Sequence, residues 1–156
     1  KIIILLRDPV ERAYSHWSME RARNNETLSF SEAIREGRRR LDIANPVDWS
    51  WRLFSYVERG FYVPQIKKAF RLFGSSNVKI VSTEKLNSDR INCLSSIYHF
   101  LNVSLPTEHP KPIFLRPVKP LRGLENISYE DLSYLKNIYT NDWREARALL
   151  SNTSLF

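Results

Sequence analysis

The sequence is poor in cysteine and glycine, with one cysteine and four glycines in 156 residues. The single cysteine, Cys93, excludes an internal disulfide and a CxxC metal site, so no metal is expected, and it fits a reducing compartment. Because Cys93 lies in an apolar helical pattern, we predict that it is a small core residue and not a reactive thiol. None of the glycines belongs to a cluster of the kind that cradles phosphates in nucleotide-binding loops.

Long apolar runs are absent as well. No stretch reaches the roughly 18 apolar residues that a membrane span needs, so none is predicted in this chain. No basic leader or small-residue cleavage site accompanies the apolar run at the start, so we expect no signal peptide. The sequence also shows no internal repeat and no low-complexity segment.

The residues that are present favour one domain with a substantial core and a basic surface. Apolar residues make up 42% of the chain and aromatic residues 12%, which is enough for an independent core at this length. The formal charge is +7 and the pI is about 9.7, which implies an attraction to polyanions. Charge alone leaves three classes of partner open: nucleic acid, a sulfated or carboxylated glycan, and a nucleotide with several phosphates.

The start of the chain carries the most specific pattern. Ile2–Leu6 is an unbroken apolar run, which is typical of a parallel strand buried on both faces. Asp8 and Pro9 then form a helix start, an acceptor at the N-cap followed by proline at the first helical position. A helix N-terminus at the carboxyl end of a strand favours an anion, to which Arg7 and Ser15 would add a guanidinium and a hydroxyl. We predict a phosphate site here, against the alternative of an ordinary strand-to-helix turn with a solvated arginine.

Capping signals and apolar periodicity predict four further helices and a second strand. Ser29 and Glu32 form a capping box, and Ser128 and Asp131 form a similar pair before the last helix. Val78–Ser82 is short and rich in β-branched residues, as strands are. The predicted apolar stripes of the five helices are Val10, Ala13, Tyr14 and Trp17; Phe30, Ala33, Ile34, Gly37 and Leu41; Ile66, Ala69, Phe70 and Phe73; Ile91, Leu94, Ile97, Tyr98 and Leu101; and Leu132, Leu135, Tyr139, Trp143, Ala146 and Leu149.

Two segments have less specific patterns. Arg38–Arg40 is a basic run at a helix end, for which a solvated face is the first interpretation and a substrate-binding role the second. Asp42–Trp51 has no clear period and contains two tryptophans, which is typical of a lid or binding loop over a sugar or an adenine. Simple packing of these tryptophans is an equal alternative.

The pattern at the start of the chain resembles the 3′-phosphate-binding segment of sulfotransferases that use 3′-phosphoadenosine 5′-phosphosulfate (PAPS). In that family an apolar strand ends in an arginine, and this arginine and a serine eight residues later hold the 3′-phosphate; the matching residues are Arg7 and Ser15. The Gly-x-Tyr segment that ends in Tyr62 is similar to bacterial and heparan sulfate sulfotransferases, so Tyr62 lines the nucleotide site or packs in the core. The resemblance also implies a second phosphate ligand at Arg122, although the family's tyrosine two positions later is Leu124 here.

The resemblance implies an α/β fold of three layers, a parallel sheet flanked by helices as in P-loop NTPases, with residues 1–156 in a single domain. It covers only the latter part of the family's domain, because the first strand and the Lys-x-Gly-Thr-Thr-like loop for the 5′-phosphosulfate do not occur in this sequence. The family's catalytic base also lies upstream, so no catalytic residue is expected here, and neither His16 nor Glu84 is given that role. We therefore expect a piece of a longer chain, inactive by itself.

The function implied by the resemblance is transfer of a sulfuryl group from PAPS to a hydroxyl or amine of a carbohydrate or small molecule, with adenosine 3′,5′-bisphosphate as a product and no nucleic-acid partner. A basic nucleic-acid-binding module that uses Arg38–Arg40 is one alternative, and a fragment of a P-loop kinase is another. The oligomeric state stays open. The bacterial resemblance and the single cysteine favour the cytoplasm, while four Asn-x-Ser/Thr sequons leave the Golgi lumen open.

Overall fold

The computed structural model describes residues 1–42, 49–106 and 127–153, which form a small parallel sheet and a majority of helices. The elements, in chain order, are β1 (Ile2–Leu6), α1 (Pro9–Ala22), α2 (Phe30–Asp42), α3 (Trp49–Phe54), α4 (Val63–Phe73), β2 (Val78–Ser82), α5 (Thr83–Ser88), α6 (Arg90–Leu101) and α7 (Tyr129–Thr153), with 3₁₀ turns at Glu58–Gly60 and Ser75–Asn77.

The chain divides into two compact units, which are described separately below. Within the described residues, unit 1 comprises 1–7, 63–106 and 144–153, and unit 2 comprises 8–42, 49–62 and 127–143. Unit 1 therefore contains both strands, and unit 2 consists of helices and turns. The single-domain organisation of the whole chain stays a prediction.

Unit 1 is built on the parallel pair β1 and β2, in register from Ile2 opposite Val78 to Leu6 opposite Ser82. β2 has the predicted bounds, and its first four residues are buried, in contact with α4, α5 and α6. The prediction that β1 is buried on both faces is wrong, because Ile3 is 37% exposed and Leu5 is 54% exposed. These two residues share one face of the strand, and none of the described residues covers that face as β2 is covered.

In the helices of unit 1, predicted core residues near the middle of a helix are buried, whereas some of those in the terminal turns are exposed. Ile66 in α4 is 1% exposed and Cys93 in α6 is 3% exposed, as predicted for core residues. Phe73 and Ile91 were predicted to be buried, but they are 49% and 58% exposed. Each lies in a terminal turn of its helix, where fewer neighbours remain to cover a side chain. Asn102 has the expected left-handed conformation at the end of α6, with φ of 59°.

Unit 2 packs α1, α2 and the first half of α7 around one apolar core, as the periodicity predicted. The capping box of α2 is present: the Ser29 N–H donates to Glu32 Oε2 over 2.9 Å, and the Glu32 N–H donates to Ser29 Oγ over 3.3 Å. The Asp131 N–H donates to Ser128 Oγ over 3.1 Å at the start of α7. The buried residues of this core are Val10, Ala13, Tyr14, Phe30, Ala33, Ile34, Tyr56, Val57, Ile127, Leu135 and Tyr139.

The segment Asp42–Trp51 differs from the prediction in its second part. Trp49 and Trp51 begin α3, so they are helical and not part of an irregular lid. Residues 43–48 lie outside the described residues. Trp49 is 64% exposed, and the guanidinium of Arg52 lies 4.9 Å from the centroid of its ring.

Candidate nucleotide site

Arg7 is the residue of unit 1 that belongs to the predicted phosphate site. It follows β1 directly, at the carboxyl ends of the two strands, where Leu6 pairs with Ser82, and it is half-buried. At the same edge Ser82 caps α5: its Oγ accepts from the Lys85 N–H over 3.2 Å and donates to the Glu84 carboxylate. Glu84 therefore contributes to the turn after β2.

The start of α1, in unit 2, has the geometry that the sequence predicted. Oδ1 of Asp8 accepts from the N–H groups of Val10 and Glu11 over 2.9 and 3.0 Å, and Pro9 occupies the first helical position. The cap changes the expected chemistry, because two N–H groups that would have attracted an anion already bind a carboxylate. Side-chain donors, and not the backbone of this helix, are left to hold a phosphate.

Ser15 lies in the middle of α1 and is half-buried. Within the described residues no hydrogen bond involves its hydroxyl. The two residues that follow it, His16 and Trp17, form side-chain hydrogen bonds to backbone carbonyls. A serine hydroxyl both donates and accepts, so Ser15 has the chemistry expected for a phosphate contact.

Tyr62 ends the turn that leads into α4 and is 7% exposed. Its backbone N–H donates to Oδ2 of Asp142 over 2.7 Å, and its ring lies edge-on to Trp143 with centroids 5.9 Å apart. The ring is thus packed in unit 2, in agreement with the core position that the sequence also allowed. Its role as a wall of the nucleotide site stays a prediction.

The four predicted ligand-binding residues fall in different parts of the chain. Ser15 and Tyr62 belong to unit 2, and Arg7 is the last residue of the first segment of unit 1. Arg122 lies outside the described residues. Their joint role in holding a nucleotide is taken up below as a proposal.

Sequence reasoning missed the polar side chains that anchor α1. Nη2 of Arg12 donates to the carbonyl of Tyr56, and Nε2 of His16 lies 3.1 Å from the carbonyl of Arg52. On the other side Trp17 donates from Nε1 to the carbonyl of Leu28 over 3.1 Å. Arg12 and His16 are four residues apart on one face of α1, outside its predicted apolar stripe, and this spacing was the available signal.

His16 is held in its neutral form. It is 9% exposed, and burial, followed by the charges of Arg12 and Arg59, lowers the pKa of its imidazole to about 4. Since a carbonyl only accepts, the ring donates from Nε2 to Arg52, and Nδ1 is left with a lone pair. In the part of the chain that the structure describes, that buried Nδ1 has no hydrogen-bond partner, so protonation there is not stabilised.

The basic run Arg38–Arg40 is largely the solvated face first expected, because the side chains of Arg38 and Arg39 are 48% and 78% exposed. Arg38 pairs with Glu58 over 2.7 Å and Arg39 with Glu36 over 3.5 Å. Arg40 pairs with Glu26 over 2.8 Å, with its guanidinium 4.0 Å from the centroid of the Phe54 ring. The pair of Arg40 is the most buried of the three, with the Glu26 side chain 1% exposed.

Glu26 is the centre of a buried polar network in unit 2. Its carboxylate accepts from Arg40, from the Tyr56 hydroxyl over 3.0 Å, and from the N–H groups of Thr27 and Leu28 over 2.9 Å each. Burial raises the pKa of this carboxyl, but the hydrogen bonds outweigh burial and hold the pKa below its usual value. Burial and the neighbouring carboxylate raise the pKa of the Tyr56 hydroxyl.

No group of three or more His, Cys, Asp or Glu side chains among the described residues is arranged to hold a metal ion. No helix in the described part of the chain is long and apolar enough to cross a membrane.

The parallel strand pair, together with the helices, defines an α/β protein. The chain belongs to the sulfotransferase family, because the model of the sulfotransferase domain matches residues 1–133. This confirms the family predicted from the residues at the start of the chain.

A solved structure supports the same assignment. A sulfotransferase from Alicyclobacillus acidocaldarius is similar over 97% of this chain, with a TM-score of 0.72 and 27% identity. The chain covers 54% of that protein, or about half of its length. No curated protein matches the sequence.

Proposed function

We propose that this chain is the cosubstrate-binding part of a sulfotransferase that transfers a sulfuryl group from PAPS to a hydroxyl or amine of a carbohydrate or small molecule. The observation that carries the proposal is the sulfotransferase-domain match over residues 1–133, which includes the segment with Arg7 and Ser15. The similar bacterial structure and the single cysteine favour a bacterial cytoplasmic enzyme. We also propose that the complete fold is a three-layer sheet similar to that of P-loop NTPases.

In this proposal the residues of the chain bind and orient the nucleotide. Arg7 and Arg122 bind the 3′-phosphate by charge-assisted hydrogen bonds, Ser15 donates a third bond, and Tyr62 lines the nucleotide. The acceptor oxygen or nitrogen forms a bond to sulfur as the bond from sulfur to the 5′-phosphate oxygen breaks, and the acceptor proton passes to a base outside this chain. Because the 3′-phosphate is remote from sulfur, these residues act on binding and alignment and not on bond breaking.

The test is calorimetric binding of adenosine 3′,5′-bisphosphate and adenosine 5′-phosphate to the full-length protein. We expect a clear preference for the bisphosphate, and Arg7→Ala should reduce that preference by roughly tenfold to a hundredfold, since a hydrogen bond to a charged group contributes about 1.5–3 kcal/mol. Arg39→Ala is the matched control, because Arg39 is 78% exposed in its side chain and has only an ion pair within its own helix. Equal affinity of the folded protein for both nucleotides would refute the proposed function.

A further inference from the structure

Arg12 lies where the helix that carries Ser15 meets the turn that carries Tyr62. Its Nη2 donates to the carbonyl of Tyr56, and the next carbonyl, that of Val57, accepts from the hydroxyl of Tyr139 over 2.8 Å. The segment that leads to Tyr62 is therefore held from α1 on one side and from α7 on the other, all within unit 2.

The rest of that segment is fixed by close packing. A Cβ atom on Gly60 would lie 2.6 Å from the ring of Tyr139, so the backbone touches the ring and has no room to shift toward it. At the end of the segment the N–H of Tyr62 donates to Asp142. Arg12 ties the segment to α1 by a hydrogen bond, and the ring of His16, edge-on to that of Tyr56 with centroids 4.9 Å apart, adds a packing contact.

Ion pairing does not explain the position of Arg12. Among the described residues no carboxylate lies within ion-pair distance of its guanidinium, and its buried Nε has no hydrogen-bond partner. Arg59 is close enough that the charge of Arg12 lowers the pKa of the Arg59 guanidinium, after burial itself. A guanidinium placed beside another cation, with one donor unsatisfied, carries an energetic cost, which suggests that its position serves the segment it holds.

We propose that Arg12 is a positioning residue of the nucleotide site: it fixes the spacing between Ser15 and Tyr62, so that one nucleotide contacts both. Ser15 follows Arg12 by less than one helical turn, so a rotation of α1 that breaks the bond to Tyr56 also moves the serine hydroxyl. This inference rests on the proposed function, and it adds a residue that does not itself touch the ligand.

The test is a double-mutant cycle on binding of adenosine 3′,5′-bisphosphate to the full-length protein. Ser15→Ala and Tyr62→Ala are measured singly and together, first with Arg12 present and then with Arg12→Met. If Arg12 fixes the spacing, the losses of affinity caused by Ser15→Ala and Tyr62→Ala are coupled by roughly fivefold or more when Arg12 is present. With Arg12→Met the two losses of affinity become independent, within about twofold.

A matched control separates positioning from general destabilisation. Arg35→Met removes a 2.6 Å contact to Asp131 in the same unit, away from the segment that holds Tyr62, and it should lower stability while leaving the coupling intact. If Arg12→Met does not fold, Arg12→Lys takes its place; it keeps the charge but replaces the planar guanidinium by a compact ammonium, and it should reduce the coupling.

Two results would overturn the inference, and they can be told apart. Coupling that persists in the Arg12 variants would show that Arg12 does not set the spacing, while the proposed function stands. A native protein that does not prefer the bisphosphate over adenosine 5′-phosphate would remove the proposed function and this inference with it.

Discussion

Units 1 and 2 differ in charge and in the way that their polar groups are satisfied. Among the described residues, unit 1 has ten lysines and arginines against three aspartates and glutamates, whereas unit 2 has ten against eleven. The positive charge of the chain is therefore concentrated in the unit that contains the sheet. In unit 2 the cations are matched by carboxylates, several of them in partly buried pairs.

The densest basic run does not lie in the unit with the excess of positive charge. Arg38–Arg40 is the densest basic run in the sequence, yet it lies in the unit with balanced charge and contacts three glutamates. Unit 1 has dispersed cations such as Lys68 and Arg71, which are exposed, and one lysine, Lys79, that is 5% exposed. Burial lowers the pKa of Lys79, which is the expected cost of placing an amine inside a strand.

The two units also carry separate natural probes. All four tryptophans of the chain lie in unit 2, and the single cysteine lies in unit 1. Tryptophan fluorescence therefore reports the unfolding of unit 2, and the reaction of Cys93 with a thiol reagent reports the opening of unit 1. The following predictions use these probes.

The largest effect is expected at the buried network of unit 2. Glu26→Ala leaves the Tyr56 hydroxyl, Arg40 and two backbone N–H groups without their acceptor. Breaking a buried charge pair costs about 3–5 kcal/mol, and we expect a loss near the lower figure in urea unfolding followed by tryptophan fluorescence. Glu36→Ala removes only an exposed pair and is the control. Equal losses for the two variants would show that burial of the network is not what stabilises unit 2.

A smaller loss is expected where the backbone touches a ring. In Gly60→Ala the new Cβ meets Tyr139 at 2.6 Å, and overpacking of this kind costs about 1–3 kcal/mol. Gly74→Ala in unit 1 is a contrasting case, because Gly74 has φ of +78° and only Asn77 Nδ2 at 4.0 Å nearby. Its cost is backbone strain without a clash, about 1–3 kcal/mol. Thermal unfolding followed by tryptophan fluorescence should show a lower unfolding temperature for Gly60→Ala than for the native protein. A fluorescence transition that does not change would contradict the close contact.

Acidification should destabilise unit 2 before the carboxylates titrate. His16 has a pKa lowered to about 4 from the usual 6.5, so the unfolded chain binds more protons between these values. Stability is then complete above pH 6.5 and falls as the pH drops toward 4, by up to about 1.4 kcal/mol per pH unit. Urea unfolding midpoints measured from pH 7 to 4.5 check this dependence of stability on pH. His16→Gln should make the dependence weaker. A slope that His16→Gln does not change would assign the titration to another group.

The smallest effect is expected in unit 1. Lys67 and Glu145 pair over 2.7 Å, but their side chains are 62% and 50% exposed, and exposed pairs contribute about 0–1 kcal/mol. Lys67→Gln should therefore leave the Cys93 reaction rate nearly unchanged in moderate urea. A large acceleration would mean that this pair holds unit 1 closed, and the contrast between the units would then be weaker than stated.

Local signals in the sequence were sufficient for several elements and for the family. The Asp8 cap, the Ser29 and Glu32 capping box and the bounds of β2 depend on residues close in sequence, and each was predicted. The family followed from the spacing of Arg7 and Ser15 after an apolar strand. The burial of β1 was not predicted correctly, because it depends on which elements cover Ile3 and Leu5 and not on their own hydrophobicity.

The sequence by itself determined the helical stripes, the caps, the parallel character of the strands and the sulfotransferase family, because these depend on periodicity and on short motifs. The tertiary structure alone decided that Arg38 pairs with Glu58, that Arg40 pairs with Glu26, and that Arg12 joins α1 to the turn before Tyr62. For each of these donors the sequence contains several equivalent acceptors, so the sequence does not identify the partner. Only the packing of α1, α2 and α7 in unit 2 brings particular partners within reach.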